Sequence, residues 1–272
     1  IETVNTMDAY LGSLPGHGVE NVRRPVLHSL NLADLIPTST IWTGRNYAPN
    51  PMYPANAPPL MHCVTHGATP FRLNLHVRDV GHTFIFGPTG AGKSTQLGML
   101  AAQLRRYEHM SIFVFDKGRS MFPLTAAIGP RYGAQHFTVA ADDSDLSFCP
   151  GQYLETRADR AWMMDWVATL LELNGMSVTA THRNAIADAI VNLHGSKSRT
   201  LTELVYTVQS EEIRETLKQY TVDGLMGHLL DGQQDGLELS SFSVFEIEEL
   251  MGLGDKYALP VLLYLFRRIE RA

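Results

Sequence analysis

One string constrains this chain more than any other: Gly87-Pro88-Thr89-Gly90-Ala91-Gly92-Lys93-Ser94-Thr95. It matches the pattern G-x-x-x-x-G-K-[S/T], which average residue usage would produce by chance in roughly one chain of this length in a hundred. Its surroundings narrow the reading further. His82 to Phe86 is a compact apolar run of strand character, and Leu97, Leu100, Ala101 and Leu104 follow at i, i+3, i+4 and i+7, the spacing of one helix stripe. A glycine-rich loop between a strand and a helix suits phosphate, because the helix N-terminus offers unpaired N–H groups and the positive end of its dipole. The glycines allow the backbone to curl around a β-phosphate, Lys93 would reach the β- and γ-oxygens, and the Ser94 hydroxyl would ligate Mg²⁺. The expected ligand is ATP with Mg²⁺, bound by Gly87 through Thr95.

The rest of the chain is consistent with an α/β domain around that loop. Ser111 to Asp116 reads as a second buried strand, placed for a right-handed βαβ crossover and hence a parallel sheet. Residues 1 to 75 read as a connector followed by a hairpin. The connector contains five prolines between Pro49 and Pro59, which preclude helix and central strand alike. The hairpin is Leu60 to His66 and Pro70 to Val77, turning at Gly67 and Ala68.

From about 155 to 235 the pattern becomes helical, with stripes at Trp162, Trp166, Leu170 and Leu173, at Ile186, Ile190 and Leu193, and at Leu201, Leu204, Val205 and Val208. Gly175 and Gly195 are expected as C-terminal caps, and Thr200 to Glu203 as a capping box. Ser243 to Ile247 then reads as a strand. Leu259, Leu262, Leu263 and Phe266 read as the apolar stripe of one more helix, with Pro260 near its start.

Bulk properties exclude some classes. A formal charge of −6 provides no global field for a polyanion, so nucleic acid is not the default partner. The longest apolar run, Ala258 to Phe266, falls far short of the roughly 20 residues of a membrane-spanning helix. Two cysteines, Cys63 and Cys149, with no CxxC pair, fit a reduced compartment. The start at Ile1 and the absence of a signal-peptide pattern suggest an excerpt of a longer cytoplasmic protein.

An NTPase also needs a carboxylate at a strand end. Asp116 ends an apolar strand and either holds the Mg²⁺ shell or pairs with Lys117 and Arg119. Glu246 and Glu248 alternate on one face of their strand, where they line the site, line a subunit interface or stand as solvated edge carboxylates. Lys93, Asp116 and Glu246 are therefore the catalytic candidates.

Several strings resemble the large ATPases of type IV secretion and conjugation systems, and among them the TrbE-type proteins. They are VGHTFIFGPTGAGKST at Val80 to Thr95, FDKGRSMFPL at Phe115 to Leu124, FEIEELMGLG from Phe245 with LPVLLYLFRRIE to Glu270, and the Asn21 to Gly44 stretch. The resemblance implies a RecA-like P-loop domain over 76–272 with an all-α insertion. It also implies a homo-oligomer, a hexamer by family, at the cytoplasmic face of the bacterial inner membrane beside other secretion components. ATP hydrolysis would drive pilus assembly or substrate export. By the same resemblance the acidic pair that completes the site falls beyond Ala272, and an N-terminal domain precedes Ile1. A DNA-translocating motor of FtsK or HerA type and a nucleotide-gated scaffold with little hydrolysis are the alternatives.

Other signals read as structural. His62, His66, His76 and His82 read as strand histidines, Trp162 and Trp166 as a helix core pair, and Cys149 as a buried thiol. Arg267 and Arg268, tempting as arginine fingers, read as charges that complement a helix C-terminus.

Overall fold

The computed structural model describes residues 6–16, 28–36, 41–141 and 144–272. Much of the Asn21 to Gly44 string lies outside them. The chain divides into two compact units, residues 1–44 with 63–71, and residues 45–62 with 72–272. The first carries two short helices, α1 (Thr6–Gly12) and α2 (Ser29–Asp34), the second of which buries no side chain. β1 (Met61–Val64) and β2 (Pro70–Leu73) form a two-stranded sheet whose turn is closed by Ala68 N–H donating to Thr65 O.

The larger unit is organised by a parallel sheet. α3 (Lys93–Leu104) leads to β3 (Ile112–Asp116), α4 (Phe122–Ile128) and β4 (Ala134–Thr138). The chain then makes a helical excursion through α5 (Arg157–Leu173), α6 (Ala180–Gly195), α7 (Leu201–Thr207), α8 (Glu211–Leu217) and α9 (Gly227–Leu230). It returns as β5 (Phe242–Glu246), followed by α10 (Glu248–Gly252) and α11 (Asp255–Glu270). β5 enters between the earlier strands, giving the order β3-β5-β4 with both pairings parallel. All five of its residues are buried, as a central parallel strand covered on both faces requires.

Strand alternation assigns the two faces. Ile112, Val114, Phe242, Val244 and Ala134 pack against Ala101 of α3 and against Met121 and Leu124 at the start of α4. On the other face Phe115, Phe245 and Phe137 stand in register across three strands, with ring centroids 5.2 and 5.4 Å apart. That row joins the main core, which α5, α6 and α11 supply.

Three local readings need correction. His82 to Phe86 forms no strand, because it joins no hydrogen-bonded ladder among the described residues. It keeps the period-two alternation: Ile85 packs on Leu100 and Tyr107, while Phe84 and Phe86 stack on each other in solvent, each 83% exposed. In α11 the buried positions are Ala258, Pro260, Val261, Tyr264 and Leu265. Leu259, Leu263 and Phe266 remain 40–49% exposed, so the helix is apolar on more than its packed side. Gly195 closes α6 as its last helical residue, while Gly175 follows α5 in the left-handed region with φ 81°.

The capping chemistry was only partly legible. Thr200 Oγ1 accepts from Glu203 N–H, but the Glu203 carboxylate takes the Ser196 hydroxyl, so the box is half formed. Complete boxes stand at Thr156 with Asp159 and at Thr179 with His182.

Pro260 lies inside α11 and is buried. Lacking an N–H, it leaves the carbonyl four residues back without a helical partner. That carbonyl, Lys256 O, accepts the buried Tyr220 hydroxyl at 3.1 Å, and Trp166 Nε1 donates to Pro260 O at 3.0 Å. The excursion thus repairs the proline defect in the helix that follows it. Tyr220→Phe leaves Lys256 O unsatisfied, and a loss of about 1–3 kcal/mol is expected in denaturant unfolding of the 272-residue chain. An unchanged midpoint would show that water replaces the hydroxyl.

Candidate functional site

The loop from Gly87 opens directly into α3. Gly90 and Gly92 have φ of 82° and 86°, backbone that a side chain with a Cβ adopts only at a cost. Gly92 is the residue before the first helical turn, so its conformation aims the loop across the helix N-terminus. A Cβ on Gly87 would lie 3.4 Å from the Ala91 Cβ and 3.7 Å from the Lys93 stem, so the loop is tightest at its start. Lys93 Nζ donates to Gly87 O at 2.8 Å and Pro88 O at 2.7 Å. An ammonium has three donors, which leaves one for an anion within the curl. Ser94 and Thr95 are in the first turn of α3, where helical N–H groups lack intrahelical partners. The loop therefore has the donors, curvature and hydroxyl that a nucleoside triphosphate with Mg²⁺ requires.

The two candidate carboxylates lie at the carboxyl ends of neighbouring strands, on the face that α3 and α4 cover, and pair in register. Both are buried, Asp116 to 7% and Glu246 to 3% exposure, and a buried carboxylate needs donors. Glu246 Oε1 accepts from Gly118 N–H at 3.2 Å and Glu248 N–H at 3.0 Å, and Oε2 accepts from Arg119 N–H at 2.5 Å. Asp116 takes the Ser120 hydroxyl at 2.6 Å and Met121 N–H at 2.7 Å. Neither carboxylate makes an ion pair with Lys117 or Arg119 side chains among the described residues; what they organise is the backbone of that loop. A carboxylate has about four acceptor positions. Asp116 fills two, so it keeps room for a metal-bound water, whereas Glu246 fills three.

Gly118 and Arg119 both have positive φ, 87° and 56°, so their successive N–H groups converge on Glu246 as a small anion nest. The Gly at 118 was the available sequence signal; the role of Glu246 was not, since it lies more than a hundred residues away. Beneath this edge His136 faces the same side, two residues back along β4 from Thr138, the register partner of Glu246. Burial lowers its pKa, with Glu246 and Asp116 opposing and Arg119 reinforcing the shift.

Arg267 and Arg268 are engaged within the chain. Asp159, buried in the first turn of α5, accepts from Thr156 through one oxygen and from Arg267 Nη2 at 2.9 Å and Arg271 Nη1 through the other. Arg268 meets Asp235, whose side chain has no exposure, as an ion pair, although its Nε lacks aligned hydrogen-bond geometry. Asp235 also accepts the Tyr264 hydroxyl at 2.5 Å. Arg267 lies over the Trp162 ring and Arg268 and Arg271 over Tyr153. This network binds α11 to α5. Cys149 sits beside it with its thiol pushed up to about 11, chiefly by burial. Burial also raises the Tyr264 hydroxyl, Asp235 adding to the effect.

Known proteins are similar to this chain in sequence and in fold, although no family model matches. The conjugal transfer protein TrbE of Rhizobium radiobacter is 50% identical over 277 residues, covering all of this chain and 33% of its own length. A probable conjugal transfer protein of the TrbE type from Sinorhizobium fredii is 50% identical over 275 residues, again all of this chain and 41% of its own. This segment belongs to the TrbE/VirB4 family. The type IV secretion system protein VirB4 of Bartonella henselae is 29% identical over 75% of the chain and 26% of its own length. The solved structure of VirB4 from Thermoanaerobacter pseudethanolicus superposes with a TM-score of 0.58 at 18% identity, over 76% of this chain and 63% of that one. The RecA-like α/β fold of the TrbE/VirB4 segment is thus shared with VirB4. The chain spans 33% and 41% of the length of these two TrbE relatives.

Two outcomes follow from these geometries. Glu246→Gln turns an amide NH₂ toward backbone donors, and a loss of about 1–3 kcal/mol is expected in chemical unfolding; full stability would mean that the 118–119 amides find other acceptors. Burial raises the Asp159 pKa, but Thr156, Arg267 and Arg271 outweigh it and the net shift is downward from 3.8. A depressed folded-state value contributes stability above the unfolded-state value and loses it as pH falls through the folded one. The stability gap between wild type and Asp159→Asn should be full at neutral pH and close as pH falls below about 3.8. A gap independent of pH would remove the ionic account.

Proposed function

We propose that this segment is the nucleotide-binding part of an ATP-hydrolysing motor subunit of a type IV secretion or conjugation apparatus, driving pilus assembly or substrate export. The observation that carries the reading is the loop from Gly87 to Thr95, with two left-handed glycines and Lys93 at the open N-terminus of α3. Ligands in open α/β sheets bind outside the carboxyl ends of the strands, where Asp116 and Glu246 also lie. The names of the relatives supply the biological setting.

In this reading the α3 N–H groups and Lys93 hold the β- and γ-phosphates and Ser94 holds Mg²⁺, which would neutralise the charge developing on the phosphoryl oxygens. Asp116 stands near the metal's water shell. Glu246 shapes the adjacent loop, and the carboxylate that orients the attacking water comes from outside residues 1–272. Residues 76–272 act as the RecA-like ATPase domain, with the helical insertion at about 155–235, and residues 1–75 lead into it from a preceding domain. The protein works as a homo-oligomer, a hexamer, at the cytoplasmic face of the inner membrane beside other components of the apparatus. No helix among the described residues is long and apolar enough to cross a membrane.

The test is ATP turnover by the full-length protein and its Lys93→Ala variant. A fall of about a hundredfold or more is expected, the scale of removing a preorganised charge from a transition state. Turnover unchanged by the substitution would sink the proposal. The 272-residue chain should bind ATP but turn it over far more slowly than the full-length protein.

A further inference from the structure

Residues 117–121 are held in place at considerable cost. Two buried carboxylates, Asp116 and Glu246, bind the loop backbone and the Ser120 hydroxyl. Arg119 occupies the left-handed region with φ 56°, where glycine or asparagine would sit more easily. The loop nonetheless leaves Lys117 and Arg119 exposed. Among the described residues neither the ammonium nor the guanidinium has a hydrogen-bond or ion-pair partner, in contrast to Arg267, Arg268 and Arg271.

The loop ends against α3, the helix that follows the Gly87–Gly92 turn. It emerges from the carboxyl end of β3, on the face covered by α3. Met121, which closes it, packs next to Gly98 of α3, with its Sδ 3.9 Å from where a Cβ would stand. Gly98 is five residues, about 7.5 Å of helix rise, beyond Lys93.

We propose that Arg119 is a phosphate-contacting residue of the nucleotide site, directed at the terminal phosphate, with Glu246 as the positioning residue that fixes its backbone. The inference rests on the P-loop reading given above. The N–H groups at the start of α3 and Lys93 hold the β- and γ-phosphates from the loop side, so a side chain arriving from the carboxyl end of β3 meets the remaining oxygens of the terminal one. A planar guanidinium offers paired donors that suit phosphate oxygens. Asp116, at the root of the same loop, then faces the metal side.

The test uses the full-length protein and compares wild type with Arg119→Gly, Arg119→Gln and Lys93→Ala, measuring thermal unfolding and the affinities for ATP and ADP with Mg²⁺. Arg119→Gly relieves the left-handed conformation and should unfold no earlier than wild type. Both Arg119 variants should bind ADP normally and ATP about ten- to hundredfold more weakly, the range for a lost charged hydrogen bond. ATP and ADP affinities unchanged in both variants, with binding still removed by Lys93→Ala, would overturn the assignment of Arg119 and leave the P-loop reading standing. An equal loss for ATP and ADP would overturn the terminal-phosphate contact. Wild-type protein that shows no Lys93-dependent binding of either nucleotide would overturn the P-loop reading itself, and this inference with it.

Discussion

The carboxylate of Glu246 fixes the edge of the sheet on which the site is built. It ends the central strand and accepts amides from Gly118, Arg119 and Glu248, so one buried charge joins the loop after β3 to the start of α10. Its backbone takes part as well: Glu246 O accepts from Val139 N–H, and Ile247 N–H donates to Asp116 O. Three strand ends and two departing segments therefore meet at one residue. An unpaired carboxylate in that position would be expensive, and the nest of amides removes the expense while giving the edge a single geometry. α3 lies against the same face, so the order at this edge is the order of the candidate site.

What the sequence made legible follows from range. The left-handed glycines and the start of α3 at Lys93 are read locally, because a tight turn into a helix end needs only consecutive residues. The helical stripes of α5 and α6 and the apolar core of β5 were equally plain from periodicity. Harder were features that depend on distant neighbours. His82 to Phe86 has the composition of a strand, yet strand identity requires a ladder partner, and composition cannot supply one. In α11 the residues of one apolar stripe, Leu259, Leu263 and Phe266, are those that stay exposed, because the face that packs is chosen by the Pro260 carbonyl, Trp166 and the Asp159 cluster. A helix apolar on two sides does not announce which one is inside.

The arginines teach the same lesson in charge. Read along α11, Arg267 and Arg268 look like cations at a helix end, free for a neighbour. In the fold they meet Asp159 and Asp235, carboxylates of 3% and 0% side-chain exposure that reach them from other elements. Buried ion pairs add little net stability over apolar contacts, but they penalise wrong arrangements severely. Here they set how α11 lies on α5, and a phosphate would have to displace buried carboxylates to recruit them. Arg119, by contrast, is anchored through its backbone and leaves its guanidinium to the solvent side.

The place of β5 in the sheet has a consequence for synthesis. Phe242 pairs with Ile112 about 130 residues earlier in the chain. At roughly 5–20 residues per second, the ribosome exposes β3 and β4 for on the order of ten seconds before their shared partner is made. Both strands carry phenylalanines on the side that will face the main core, and neither can pair with the other across the gap that β5 will fill. The helical excursion is made during that wait, and its own local contacts form fast. It can collapse onto the phenylalanine side of β3 and β4 while they are still unpaired, so the insertion acts as a temporary cover on the nascent chain for the strands it interrupts.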